Sequence, residues 1–222
     1  MTKKLVLFDC DGTIVDSVGI IHGAMERTFA EAGHNVPPES ATRSIIGLTL
    51  DIAIARIIGK PVDSEVLKMT ERYKAHFHKI RAKPGFHEPL FDGMAELIVD
   101  LANHEDIVLG LVTGKSQRGV AMVFDTHGFH GHFVTIRTAD DCPSKPHPAM
   151  VLECCAETGF ETSDCVVIGD SIYDMQMAKA AGASAIGVAW GYNDVHLLRE
   201  GGADDIARNV GELRVLLEQF YG

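Results

Sequence analysis

Short apolar runs alternate with longer segments of helical periodicity along most of the chain, a pattern that predicts strands and helices in turn. Four runs read as buried parallel strands: residues 5–8, 107–112, 165–168 and 185–189. A weaker fifth covers residues 133–136. Between them Met94, Leu97, Ile98 and Leu101 share one helical face, and Ser116 can cap a helix through Val120, Val123 and Phe124 that Gly128 stops. Pro148 suits the first turn of the next helix, which Gly159 ends, and Gly182 ends the one after Asp174. The expectation is an α/β fold with a Rossmann-like, doubly wound parallel sheet.

The stretch from the first strand to Pro84-Gly85 breaks the alternation. Val18, Ile21, Met25, Phe29 and Ala32 fall at helical spacing and stop at Gly33. A short apolar segment follows the Pro37-Pro38 turn and runs to Gly47; Thr49 can then cap a helix to Ile58, with Gly59 past its end. Val66, Thr70, Tyr73, Phe77 and Ile80 mark a long last helix. With no convincing strand here, residues 16–84 are expected to form an all-helical domain inserted into an α/β core of residues 1–15 and 85–222.

A chain of 222 residues is long enough for such a core carrying a smaller domain. Its 31 acidic and 20 basic residues leave a formal charge of -11, which repels phosphate backbones and argues against a nucleic-acid partner. The same surface disfavours anions generally, so any phosphate site must supply its own positive charge. No apolar stretch approaches the ~20 residues needed to span a bilayer. The apolar run after Lys3-Lys4 stops after four residues at Asp9, too short for a signal core, so no membrane partner and a cytoplasmic location are expected. The five cysteines (Cys10, Cys142, Cys154, Cys155, Cys165) are odd in number and lack zinc spacing, as free thiols in a reducing compartment would.

Ligands of open α/β sheets bind outside the carboxyl ends of the strands. The first run is followed by Asp9-Cys10-Asp11-Gly12-Thr13, and the second by Thr113-Gly114-Lys115. After the weak run comes Ser144-Lys145-Pro146, and after the run at 165–168 comes Gly169-Asp170-Ser171, with Asp174 a helical turn further on. Any one of these is ordinary turn or cap punctuation. Their convergence is not. Asp9, Asp11 and Asp170 in one crevice would repel one another unless a cation sat among them, and Mg2+ is the usual hard cation beside phosphate. Lys145, the Thr113 hydroxyl and the Gly114 N–H would add the local field that a phosphate needs. His130 and His132 read as solvated loop histidines, and Trp190 is open between lining the site and packing on a helix.

On these motifs the chain resembles the haloacid dehalogenase-like hydrolases from end to end, most closely the phosphoglycolate phosphatase-like branch. Asp9-Cys10-Asp11-Gly12-Thr13 is similar to the family's first motif, Thr113 to its second, Lys145 to its third, and Gly169-Asp170-Ser171-Ile172-Tyr173-Asp174 to its fourth. Cys10 stands where leucine, methionine or phenylalanine is common, at a position taken to point outward. The resemblance implies a helical cap domain, with Asp9 the nucleophile forming an aspartyl-phosphate and Asp11 the general acid and base. It also implies Mg2+ held by the Asp9 carboxylate, the Asp11 carbonyl and Asp170, with Asp174 orienting the metal's waters or Lys145. Thr113, Gly114, Lys145 and Ser171 would bind the phosphoryl group. The segment Arg43-Ser44-Ile45-Ile46-Gly47-Leu48-Thr49 resembles the family's specificity loop, with Gly47 letting it enter the site and Arg43 either holding a second anionic group or merely solvated. Asp11 favours phosphorus chemistry over dehalogenation, since a halide needs no proton. The implied activity is hydrolysis of a small phosphorylated metabolite, a phosphoglycolate-like monoester. A sugar phosphomutase of the beta-phosphoglucomutase type or a pyrophosphatase is the alternative. A non-enzymatic binding module should have lost a catalytic group, and none is missing.

Overall fold

The computed structural model describes residues 3–83, 86 and 88–222. Six strands form one parallel sheet: β1 (Lys4–Phe8), β2 (Ile107–Val112), β3 (Thr135–Arg137), β4 (Cys165–Gly169), β5 (Ser184–Val188) and β6 (Asp205–Ala207), in the order β3-β2-β1-β4-β5-β6. Leu5, Val6, Leu7 and Phe8 are all buried because helices cover both faces. Their side chains alternate between those faces. Val6 and Phe8 pack with α5 (Met94–Ala102), α6 (Gln117–His127) and α10 (Val210–Tyr221), whereas Leu5 and Leu7 pack with α7 (Ala149–Thr158), α8 (Ile172–Ala181) and α9 (Val195–Glu200). The strand order reverses at β1, the switch point at which a crevice opens beyond the carboxyl ends of the strands.

The expected strands are present with small shifts. The weak fifth run is the instructive one. Phe133 stays outside the sheet and stacks on Phe124 at 5.2 Å, while β3 begins two residues later. Neither β6 nor the helices α9 and α10 were expected; β6 has three residues of which only Ala207 is buried, too short a pattern to register. All five cysteines are free and buried. Cys10 does not point outward as expected but packs into the core beside Val6 and Phe8.

Between β1 and α5 the described residues include four helices: α1 (Val18–Ala32), α2 (Glu39–Arg43), α3 (Leu50–Ile58) and α4 (Ser64–Arg81). Met25, Phe29, Ile54, Val66 and Met69 give them an apolar core of their own. Gly33 and Gly59 close α1 and α3 in the left-handed region, φ 75° and 80°, as their sequence positions predicted. The Pro84-Gly85 boundary lies outside the described residues. The two chain crossings near the insert run side by side: Asp16 N donates to Pro89 O (2.8 Å) and Phe91 N to Ile14 O (3.1 Å). Among the described residues no helix is long and apolar enough to cross a membrane.

Candidate active site

Phe8 pairs with Leu111 on one side and Ile168 on the other, so the next residue, Asp9, emerges between the ends of β2 and β4 at the switch point. Thr113 leaves β2 and Asp170 leaves β4 at the same edge. Asp9, Thr113, Lys145, Asp170, Ser171 and Asp174 are all buried, and Asp11 is slightly more exposed. Every predicted motif residue of the core thus meets at one sheet edge.

Lys145 sits at the centre. Its Nζ lies 2.8 Å from Asp9 Oδ1 and 2.5 Å from Asp174 Oδ1. Ser171 caps α8 reciprocally, its hydroxyl and N–H both donating to Asp174 Oδ2 (2.6 and 3.1 Å). The Ser171 hydroxyl is therefore committed to positioning Asp174, which in turn holds Lys145. Asp170 Oδ2 accepts from Tyr192 N (2.7 Å) and its Oδ1 from the Thr13 hydroxyl (3.3 Å). Two glycines make room for it: a Cβ at Gly12 (φ +85°) or at Gly191 would fall inside the Asp170 side chain.

The charge balance asks for a cation. Carboxylate oxygens of Asp9, Asp170 and Asp174 lie within 4.8 Å of one another. Burial pushes the Asp9 carboxyl up to about 7 despite the Lys145 ammonium beside it. Asp170 is driven well above the usual range by burial and by Asp9 and Asp174. Burial works against the Lys145 charge, but Asp174 and Asp9 outweigh it and hold its pKa above normal. Among the described residues Asp9 Oδ2 has no hydrogen-bond partner, and Oδ1, though close to Lys145, is not aligned with it for one. A buried carboxylate oxygen without a hydrogen-bond donor, set among other carboxylates, fits a divalent metal ion.

Asp11 has different company. Its Oδ1 accepts from the Ser17 hydroxyl at 2.5 Å and lies 2.7 Å from Lys115 Nζ. Lys115 also faces Glu88 at 3.4 Å, and Glu88 pairs with Arg81 at the end of α4. Asp11 keeps the Lys115 pKa above normal although burial opposes it. Lys115, Ser17 and Glu88 were not singled out by sequence. Lys115 was visible as the third residue after β2, but nothing local says that it turns back onto Asp11.

The helical insert closes over this edge, leaving a cavity of about 620 Å³ lined by Asp9, Asp11, Thr113, Gly114 and Lys115 on the core side. Gly47 (φ +100°) lines it too and abuts Ser171, and a Cβ on Gly114 would lie 2.6 Å from Leu48 O and 2.8 Å from Gly47 O. The loop expected to enter the site does so. Arg43 does not line the cavity: it pairs with Glu39 at 2.7 Å and covers the Tyr192 ring. Trp190 packs against Phe91 and donates to Thr13 O (3.2 Å), away from the cavity. His130 is exposed and bonds Asp125, whereas His132 Nδ1 is buried without a partner among the described residues and its ring packs on Phe129.

The sequence profile of the haloacid dehalogenase-like hydrolases matches residues 6–188. A Dickeya dadantii protein named "Probable phosphatase IndB" is 31% identical over 201 residues, covering 89% of this chain and 86% of its own. The phosphoglycolate phosphatase of Haemophilus influenzae is 28% identical over 223 residues, 96% and 98% of the two chains. A hydrolase from Pseudomonas syringae superposes with a TM-score of 0.86 over 99% of this chain and 100% of its own, at 20% identity. A beta-phosphoglucomutase from Clostridium difficile superposes with a TM-score of 0.82 over 99% and 97%, at 20% identity, which shows a shared fold alone. With the profile spanning most of the sequence and the site assembled at the expected sheet edge, the chain belongs to the haloacid dehalogenase-like hydrolases.

Proposed function

We propose that this protein is a magnesium-dependent phosphatase that hydrolyses a small phosphate monoester through an aspartyl-phosphate on Asp9. One observation carries the reading: Asp9 is buried at the switch point, lines the cavity, and beside its ion pair with Lys145 keeps an oxygen, Oδ2, that has no hydrogen-bond partner among the described residues. A carboxylate paired on one side with Lys145 and left with an oxygen that accepts no hydrogen bond is available both to a metal and to phosphorus. The Asp9 carboxylate, the Asp11 carbonyl and Asp170 would hold Mg2+, which when bound neutralises charge on the transferring phosphoryl group and draws Asp9 into its ionised form. Relatives named as phosphatases favour hydrolysis over the phosphomutase and pyrophosphatase alternatives.

The residues divide the work. Asp9 attacks phosphorus, the bond from phosphorus to the alcohol oxygen breaks, and Asp11 donates a proton to that oxygen. Asp11 Oδ1 is taken by Ser17 and Lys115, which leaves Oδ2 to carry the proton. Water then attacks the aspartyl-phosphate, Asp11 takes its proton, and inorganic phosphate leaves with Asp9 restored. Lys145, held by Asp174, and the Thr113 hydroxyl and Gly114 N–H stabilise the phosphoryl oxygens. Asp174 and Ser171 act through Lys145 as positioning residues. The five buried free thiols suit a reducing, cytoplasmic compartment.

Each in-line displacement inverts phosphorus, so two displacements retain its configuration. A monoester made chiral at phosphorus with oxygen isotopes should give phosphate of retained configuration. Inversion would mean direct attack by water, with Asp9 serving only to bind metal.

A further inference from the structure

The cavity beside Asp9 is large, and the charges of its two buried cationic side chains, Arg81 and Lys115, are already paired with carboxylates. Its volume of about 620 Å³ equals that of about twenty waters and falls in the range of sites for drug-sized ligands. A two-carbon phosphoester would fill a small part of it. Apart from the catalytic edge, most of its wall is apolar: Met25 from α1, Ile45, Ile46 and Leu48 from the entering loop, Tyr73 and Phe77 from α4. The first five of these are buried. An acid leaving group would need a free cation here, because a buried carboxylate without a partner is costly. Four cationic side chains line the cavity besides the histidine His78. Arg81 is paired with Glu88, only its buried Nε being without a partner among the described residues, Lys115 is paired with Asp11 and Glu88, and Lys74 with Glu71. The fourth, Arg118, is exposed on the first turn of α6, where solvent screens it. His78 is exposed and its pKa is lowered by partial burial and by Arg118 and Arg81, so it adds little charge near neutral pH.

We infer that the alcohol released from the phosphate ester is a ring-sized, predominantly apolar one rather than a short carboxylic acid such as glycolate, with the ring seated between the entering loop and α4. This rests on the phosphatase reading above and narrows its substrate. The phosphoryl group anchors at Asp9 and Lys145, and selectivity comes from removing apolar surface from water. Burying a phenyl-sized group is worth a ten- to hundredfold gain in kcat/KM.

The test is phosphate release by the whole protein with Mg2+ from 2-phenylethyl phosphate, ethyl phosphate and phosphoglycolate. The first two leave as similar primary alkoxides, so their ratio reports binding of the ring and not leaving-group ability. We expect kcat/KM for the phenylethyl ester to exceed that for ethyl phosphate at least tenfold, with phosphoglycolate no better than ethyl phosphate. Leu50→Gln, at the cavity wall on the first turn of α3, should cut the phenylethyl-to-ethyl ratio at least threefold. A phosphoglycolate value above that of the phenylethyl ester, or equal values for the two alkyl esters, would overturn the apolar leaving group and leave the phosphatase reading standing. So would turnover of para-nitrophenyl phosphate alone. Release from none of the four would remove the phosphatase reading itself.

Discussion

Asp170 shows how single residues hold a site that is unfavourable by itself. Its carboxylate is buried, crowded by Asp9 and Asp174, and enclosed by Gly12 and Gly191. Replacing it with the isosteric amide removes a charge that the metal-free fold must bury, while an amide oxygen can still accept from Tyr192 N. Asp170→Asn should therefore raise the stability of chelated protein by about 0.5–2 kcal/mol and abolish turnover, the usual exchange of stability for function. Thermal unfolding in chelator beside a phosphate-release assay checks both; a destabilised variant would mean that the crowding costs nothing. Asp9→Asn should keep the circular dichroism of the wild type and lose turnover, because an amide cannot form an acyl phosphate. Activity within tenfold of wild type would sink the nucleophile assignment.

Two elements of the insert are tied to the catalytic edge by contacts that helix periodicity cannot encode. At the start of α1 the Ser17 hydroxyl makes no cap; it is turned onto Asp11, and the Tyr192 hydroxyl accepts from Ser17 N (2.8 Å) and Val18 N (3.0 Å) instead. The entering loop is held from the core as well: Tyr173 donates to Ser44 O (3.0 Å) and Thr49 N donates to the Ser144 hydroxyl (2.9 Å). Against that loop lies Gly114, whose missing side chain leaves room for the carbonyls of Gly47 and Leu48. Gly114→Ala puts a methyl against backbone that cannot rotate away. The loop should be pushed out of the site, lowering kcat/KM at least tenfold with little change in unfolding temperature. Steady-state kinetics and thermal unfolding on the same preparation decide the matter, and an unchanged kcat/KM would mean that the loop need not seat for turnover.

For the whole molecule, the metal-free site is a stored liability that a cation removes. A ligand present at a hundred times its Kd stabilises the native state by about 2.7 kcal/mol. For a chain of this size that is about 5–11 °C in unfolding temperature, reversed by chelation. The gain should depend on pH. With the Asp9 carboxyl near 7 in the native metal-free protein and 3.8 when unperturbed, its contribution to stability is greatest at low pH and is lost as pH rises through 7. A bound cation prefers the ionised form. The increase on adding Mg2+ should accordingly be larger at pH 8 than at pH 6, as paired melting curves would show. Equal gains at both pH values would contradict the raised Asp9 carboxyl.

The strands, the insert's main helices and the core motif residues were legible because each is a local signal. A strand buried on both faces reads as a continuous apolar run, and a glycine just past a helix, such as Gly33 or Gly59, readily takes the left-handed turn that stops it. Being a strand end is also local, so Asp9, Thr113 and Asp170 could be assigned to one edge as soon as the sheet was expected to be parallel and doubly wound. The partners of those residues were not legible. Lys115 on Asp11, Tyr192 on the start of α1 and Tyr173 on the entering loop each depend on where a side chain lands once distant elements pack, whereas the Ser171–Asp174 cap and the Arg43–Glu39 pair are local contacts that sequence spacing permits. The sheet edge follows from pattern alone, whereas the cavity's size, its apolar wall and the Arg81–Glu88 pair beside it follow from how the insert docks. A side chain's charge is written in the sequence; whether that charge is free is decided by the neighbour that tertiary packing sets beside it.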